Sequence, residues 1–159
     1  MSFRVGLGYD VHPFRENRKL ILGGIEIPFE KGLKGHSDAD VLLHAIIDAI
    51  LGAAALGDIG QHFPDTNPDF KNADSTKLLV ECYEMVQKKG LTIENIDSTV
   101  VTEKPKLSPF IPKIRKHISE VLNCDADQVS VKATTNEKMG FVGRQEGIMV
   151  HAVALLKRD

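Results

Sequence analysis

The stretch GIMVHAVALLK, residues 147–157, limits the fold more than any other part of the chain. As a strand it sets Ile148, Val150, Ala152 and Ala154 on one face and Met149, His151, Val153 and Leu155 on the other. Both rows are nearly all apolar. A strand with one wet face alternates apolar with polar residues, so this one belongs to a sheet covered on both sides. In a chain of 159 residues, helices can cover one side, which leaves the other to a second copy of the chain. A homo-oligomer is expected.

The remaining elements fit around that strand. Residues 3–10 read as a strand, and KLILGGIEIP (19–28) as two short extended runs about a Gly23-Gly24 turn. Within residues 36–56, apolar positions recur at helical spacing from about residue 39, with Ser37 and Asp40 forming a start like a capping box. Residues 57–75, rich in Gly, Pro, Asp and Asn, read as a long irregular loop. A second helix begins at Ser75 and stops at Gly90, and residues 96–104 read as a strand. Ser108 as N-cap and Pro109 as first helical residue open a third helix, which runs to about Asn123. Residues 128–135 supply one more strand. This order predicts a single α+β domain over residues 1–159. It is an α/β sandwich with one mixed sheet, helices on one face and a subunit contact on the other.

Composition narrows the partners. A net charge of −2 offers no basic excess for nucleic acid or an anionic membrane surface. The longest apolar run, AIIDAILGAAALG, is broken by Asp48 and is too short to span a bilayer. The N-terminus has no apolar signal core. Cys82 and Cys124 lack both metal and disulfide spacing, so a cytoplasmic protein with reduced thiols is expected, Cys82 as a small core residue.

Chemistry-bearing residues cluster at element ends. In GYDVHPF (8–14), Asp10 and His12 project from one face of a strand that Pro13 should stop. The pair fits a metal clamp, a charge pair or an unremarkable strand end. His44 sits in an apolar helical stretch, where a lone histidine is usually a satisfied core residue. Asp48 follows one turn later on the same face and could hold the far ring nitrogen, which would free the other for a metal. Asp10, His12 and His44 would then make a zinc set with an open fourth position. His36, Ser37 and Asp38 suit either a helix N-terminus with capping residues or a phosphate contact. Asp58, Ile59 and Gly60, with Phe63, Pro64, Asp65, Thr66 and Asn67, support only a loop by composition, though two aspartates there could hold hydroxyls; His62 reads as solvated. KATTNEK (132–138) brings two hydroxyls, Glu137 and Lys138 to a strand exit, a set that could wrap a phosphate and a hard cation. Arg144, among three glycines near Phe141, could bind phosphate or simply sit in a hairpin. Each feature alone has an ordinary structural explanation; together they offer metal and phosphate ligands.

Taken in order, GYDVHPF (8–14), LGGIEIP (22–28), residues 31–75, KPKLSPFIPKIR (104–115) and VKATTNEKMGFVGRQEGI (131–148) resemble the 2-C-methyl-D-erythritol 2,4-cyclodiphosphate synthase family almost end to end. The resemblance implies a non-mevalonate isoprenoid enzyme. Its reaction takes 4-diphosphocytidyl-2-C-methyl-D-erythritol 2-phosphate, lets the 2-phosphate attack the β-phosphorus and releases CMP. It implies zinc on Asp10, His12 and His44, and Mg²⁺ or Mn²⁺ on Glu137. His36 and Thr135 match the positions that stabilise the transition state. Ser37, Asp58, Ile59, Gly60 and the 63–67 loop match the methylerythritol phosphate contacts. Thr102, Glu103, Lys104, Pro105, Lys106, Leu107, Ser108 and Thr134 match the cytidine-phosphate pocket, with Asn136 beside Glu137. The family is a homotrimer with sites between subunits. Phe141 and Arg144 match residues near a central cavity that holds an isoprenoid diphosphate in some members. The length leaves no room for the cytidylyltransferase fused to other members.

Two departures stand out. Asn136 occupies a position where a third threonine is commoner, and Glu103-Lys104 puts charge where the family has small or polar residues. Phosphoryl transfer depends on in-line placement and charge neutralisation, so the lack of an obvious Ser or Cys nucleophile agrees with an attack by the substrate's own phosphate. A zinc phosphohydrolase with water as nucleophile, or a non-catalytic trimer that binds isoprenoid diphosphates, would use the same residues.

Overall fold

The computed structural model describes residues 1–158. Its main sheet has the order β4-β1-β7-β5-β6. Strand β1 (Ser2–Glu16) runs antiparallel to β7 (Gly147–Arg158), from Ser2 opposite Arg158 to Pro13 opposite Gly147. Strand β5 (Thr92–Val101) is antiparallel to β7 and parallel to β6 (Val129–Thr134), so the sheet is mixed. The hairpin of β2 (Leu20–Leu22) and β3 (Ile25–Ile27) turns at Gly23 and Gly24, both at positive φ.

Pro13 does not stop β1. Its carbonyl accepts from the Lys34 N–H and the Phe14 N–H donates to the Glu146 carbonyl, each at 2.9 Å. The ladder therefore passes through the proline, and Phe14–Glu16 change partner to β4 (Lys31–Leu33). Because the missing N–H falls at this hand-over, the strand tolerates it.

Three long helices pack on one face of the sheet. Helix α1 (Val41–Ala53) is buried almost all round. Glycines in β1 let it lie directly on the strand: a Cβ on Gly6 would run into the Ala49 carbonyl, and one on Gly8 into the Ala45 carbonyl. The facing helix residues Ala45, Ala49 and Ala53 recur every fourth position, which makes a small-residue seam against backbone. Arg4 Nε donates to the carbonyl of Ala53 (2.5 Å), supplying one of the donors the helix end lacks. Asp40, not Ser37, caps the helix. Its buried carboxylate accepts from Leu43 N–H (3.0 Å), Gly23 N–H (2.9 Å) and Gly24 N–H (2.7 Å), joining helix start to hairpin turn. Burial and nearby Asp38 push that carboxyl up to about 6 against these three donors.

The other boundaries shift modestly. The 57–75 segment contains a short helix α2 (Ile59–His62) and a 3-10 turn at Pro68–Phe70. Helix α3 (Ser75–Lys88) has Asp74 as N-cap. Strand β5 begins four residues earlier than its apolar pattern suggests and ends at Val101, where the Thr102 hydroxyl turns to donate to the Lys104 carbonyl (2.5 Å). Ser108 and Pro109 form a turn ahead of helix α4 (Ile111–Leu122), which has Pro112 in its first turn and no side-chain cap. Cys82 is fully buried in the core, and burial pushes its thiol up to about 12. A last short helix, α5 (Gly140–Gly143), precedes β7.

The face of the sheet away from the helices is open in the single chain. It carries Phe3, Val5, Leu7, Tyr9 and Val11 of β1 and Val153 of β7, with Val5 and Leu7 about 70% exposed. No helix among the described residues is long and apolar enough to cross a membrane.

Candidate active site and metal centre

Alternation along β1 decides where its functional groups go. The odd positions form the open apolar face, while Gly6, Gly8, Asp10 and His12 point toward α1. The glycine seam brings His44 of α1 down onto the last two. Asp10 Oδ2 lies 2.9 Å from His12 Nε2 and 3.1 Å from His44 Nδ1, and the two ring nitrogens are 3.3 Å apart. Ligands held tetrahedrally by zinc at roughly 2.0–2.1 Å stand roughly 3.3 Å from each other, so the triangle is near the size needed.

The hydrogen bonds behind the triangle show what faces inward. His12 Nδ1 lies 2.7 Å from the Lys34 carbonyl, which only accepts, so this nitrogen carries the hydrogen and donates. His44 Nε2 lies 2.8 Å from Ser75 Oγ, and that hydroxyl donates to Asp38 Oδ1 (2.5 Å). The ring must therefore donate to Ser75, which leaves Nδ1 bare. Two lone pairs and a carboxylate oxygen thus converge, and three acceptors at this spacing need a cation between them. In the metal-free chain a proton answers part of that need. Burial pushes the Asp10 carboxyl up, but His12 and His44 outweigh it and hold it at about 2. Burial opposes charge on His12 as well, yet Asp10 beside it lifts the imidazole above the ordinary histidine value.

The triad, grouped here as a set able to hold a metal ion, opens into a pocket of ≈ 350 Å³. Gly35, His36, Ser37, Ile59, Gly60, Phe63, Pro64, Asp65, Phe70 and Leu78 complete its wall. His36 is steadied by its Nε2 contact with the Asn67 carbonyl (3.1 Å), and Arg18 donates to the Gly35 carbonyl (2.9 Å) and to the Ser37 carbonyl on either side of it. A second pocket of ≈ 390 Å³ lies at the exits of β5 and β6, lined by Thr102, Glu103, Pro105, Lys106, Leu107, Ser108, Ala133, Thr134 and Thr135. The two pockets share no residue.

The sequence profile of the YgbB family matches residues 3–157. The chain belongs to the YgbB family. A 2-C-methyl-D-erythritol 2,4-cyclodiphosphate synthase from Prosthecochloris aestuarii is 62% identical over 97% of this chain and 98% of its own length. The bifunctional IspDF of Campylobacter jejuni superposes with a TM-score of 0.96 at 47% identity, covering 99% of this chain, which spans 43% of that longer protein. The IspF of Plasmodium falciparum, solved as a CDP complex, gives 0.87 at 37% identity over 99% of this chain and 97% of that one. Membership makes the chain an enzyme of the lyase class in isoprenoid biosynthesis, with the family's α+β fold.

Against the pattern expected of the family, the chain places its residues as follows. Asp10, His12, His44, His36, Ser37, Ile59, Gly60, Phe63, Pro64 and Asp65 share the first pocket. Asp58 stands at its edge as the N-cap of α2, and Asn67 caps the Pro68–Phe70 turn, so neither side chain lines the wall; nor does that of Thr66. Lys104, Asn136 and Glu137 lie outside both linings, and Glu137 is exposed on the turn after β6, apart from the triad. Phe141 and Arg144 also lie outside both; the Arg144 fork is engaged by the Glu146 carboxylate (2.9 and 3.2 Å).

Two readings are corrected. Asp48 is not the partner of His44: its carboxylate turns to accept from Ile59 N–H (2.7 Å) and ties down the start of α2. His62 is not merely solvated, since its Nε2 contacts the Leu56 carbonyl (2.8 Å). Glu103 lines the second pocket as expected, and one of its oxygens also accepts from the N–H groups of Asn136 (3.2 Å) and Lys138 (2.9 Å), which pins the turn bearing Glu137. Sequence reasoning missed Ser75 and Arg18, and took Asp38 only as part of the start of α1. A serine or aspartate at a helix start carries no sign of what else it touches.

Proposed function

We propose that this chain cyclises 4-diphosphocytidyl-2-C-methyl-D-erythritol 2-phosphate to 2-C-methyl-D-erythritol 2,4-cyclodiphosphate with release of CMP. The observation that carries the proposal is the convergence of Asp10 Oδ2, His12 Nε2 and His44 Nδ1, with both histidines tied back so that lone pairs face the centre. These residues hold Zn²⁺, which supplies a Lewis acid and a point of attachment for a phosphate group. Glu137 holds Mg²⁺ or Mn²⁺ together with the diphosphate. His36, whose Nε2 is held by the Asn67 carbonyl, and Thr135 stabilise charge that grows on phosphate oxygens in the transition state. Ser37, Asp58, Ile59, Gly60 and residues 63–67 receive the methylerythritol phosphate end. Thr102–Ser108, Thr134 and Asn136 receive cytidine phosphate.

The separation of the pockets supports a shared site. One substrate must reach both sets of residues, and the apolar open face gives a second copy a surface to dock on. A homotrimer with sites between subunits meets both requirements, and Phe141 and Arg144 then face a central cavity suited to an isoprenoid diphosphate. The chain acts as a single cytoplasmic domain, without nucleic acid or membrane partners.

Purified protein with Zn²⁺ and Mg²⁺ should release CMP from the substrate and give a cyclic diphosphate by phosphorus NMR. Absence of CMP overturns the proposal, and a linear bisphosphate would point to a phosphohydrolase. Asp10→Ala should abolish turnover and leave the assembly intact by light scattering.

A further inference from the structure

We propose that Ser75 and Asp38 are positioning residues of the metal centre, which lock the hydrogen of His44 on Nε2 and keep Nδ1 as a lone pair aimed at the ion. The inference rests on the zinc reading above. Neither residue lines the pocket, and the contact that joins them to the triad is the one between Ser75 Oγ and His44 Nε2 (2.8 Å).

Ser75 is the first residue of α3 and is fully buried. Its N–H donates to Asp38 Oδ2 (3.0 Å) and its hydroxyl reaches Asp38 Oδ1 (2.5 Å). Asp38 Oδ1 also accepts from the Asp40 N–H (3.1 Å). Thus an aspartate that looks like a cap for α1 turns toward α3, where it accepts from the Ser75 N–H beside the N-cap Asp74.

Counting hydrogens leaves one arrangement. A carboxylate only accepts, and a serine hydroxyl has one hydrogen. If that hydrogen went to His44, Ser75 Oγ and Asp38 Oδ1 would oppose each other at 2.5 Å with nothing between them. It therefore goes to Asp38, and the 2.8 Å contact with His44 must use the imidazole hydrogen. A neutral imidazole has one, so Nδ1 has none. Ser37 Oγ, 3.2 Å from the same Nε2, is a longer second acceptor and keeps its own hydrogen for the pocket. The negative charge of Asp38, passed through Ser75, also makes the ring a better donor to a cation.

The test begins on chelated wild-type protein with ¹⁵N-labelled histidine, at a pH where the spectrum itself shows neutral imidazoles. The nitrogen shifts of His44 should report hydrogen on Nε2. Chelator competition should then show zinc binding weakened about 10- to 100-fold in Ser75→Ala and in Asp38→Asn, with Ser75→Thr recovering most of the loss. An amide at position 38 can donate to Ser75, which reverses the chain of hydrogen bonds and puts hydrogen on Nδ1. Wild-type shifts that place the hydrogen on Nδ1, or a folded Ser75→Ala protein that keeps zinc within about twofold, overturn the proposal. If a variant fails to fold, the wild-type spectrum alone decides. A wild-type protein that binds no zinc would sink the metal reading and leave the NMR test of His44 intact.

Discussion

Strand β1 presents two surfaces that differ in how complete they are. Toward α1, every group has a partner within the chain: Gly6 and Gly8 meet helix backbone, and Asp10 and His12 meet His44. On the reverse, Phe3, Val5, Leu7, Tyr9 and Val11 stay exposed in the single chain, with the Tyr9 ring beside His151 of β7. One face is finished by folding; the other is left open for the proposed association. A lesion on the first should therefore damage the protomer, and one on the second only the assembly.

The sharpest way to break that distinction is Gly8→Val, whose side chain overlaps the Ala45 carbonyl of α1. It should cost at least ~3 kcal/mol, read as a lower urea midpoint; unchanged stability would mean the seam is loose. Leu7→Lys, one residue away on the open face, should leave the protomer's far-UV circular dichroism intact while sedimentation shows a shift to monomer. If that variant unfolds instead, the open face is not an assembly surface.

A smaller effect concerns pH in chelated protein. Asp10, depressed to about 2, adds stability that is complete above its ordinary 3.8 and is lost as pH falls through about 2. His12, raised above 6.5, adds stability that is complete below 6.5 and is lost as pH rises through its folded value. The metal-free site should thus be firmest between about pH 4 and 6.5 and loosen on the alkaline side. Zinc should remove that alkaline loss in denaturant titrations. The mildest change is Asp48→Asn. Because Asp48 holds Ile59 rather than His44, zinc affinity should stay within about twofold while KM rises as α2 loosens. A tenfold or greater loss of zinc would return Asp48 to the metal centre.

What could be read beforehand follows the physics of short range. Alternation in residues 147–157 and the i, i+2 pair Asp10/His12 follow from strand geometry alone, and both are where they were expected. His44 was legible as a candidate ligand only beside Asp10 and His12, since a lone imidazole in an apolar helix is usually a core residue. Its partner was not. Helical spacing put Asp48 on the same side, but a difference of a few ångströms sends that carboxylate to α2, and Ser75 arrives from 31 residues away. The passage of β1 through Pro13 depends on Lys34 and Glu146 and is invisible to local sequence. The role of Glu103 likewise exists only once β5 and β6 lie side by side.

The contact of α1 with Gly6 and Gly8 has a meaning beyond packing. With no side chain as a spacer, the strand's own backbone acts as a gauge that sets how far His44 stands from Asp10 and His12. On the proposed metal reading, the size of ion that fits the centre is therefore set partly at Gly6 and Gly8, which do not line the pocket. An engineer who wished to seat a larger cation would begin by thickening that seam, not by exchanging the ligands.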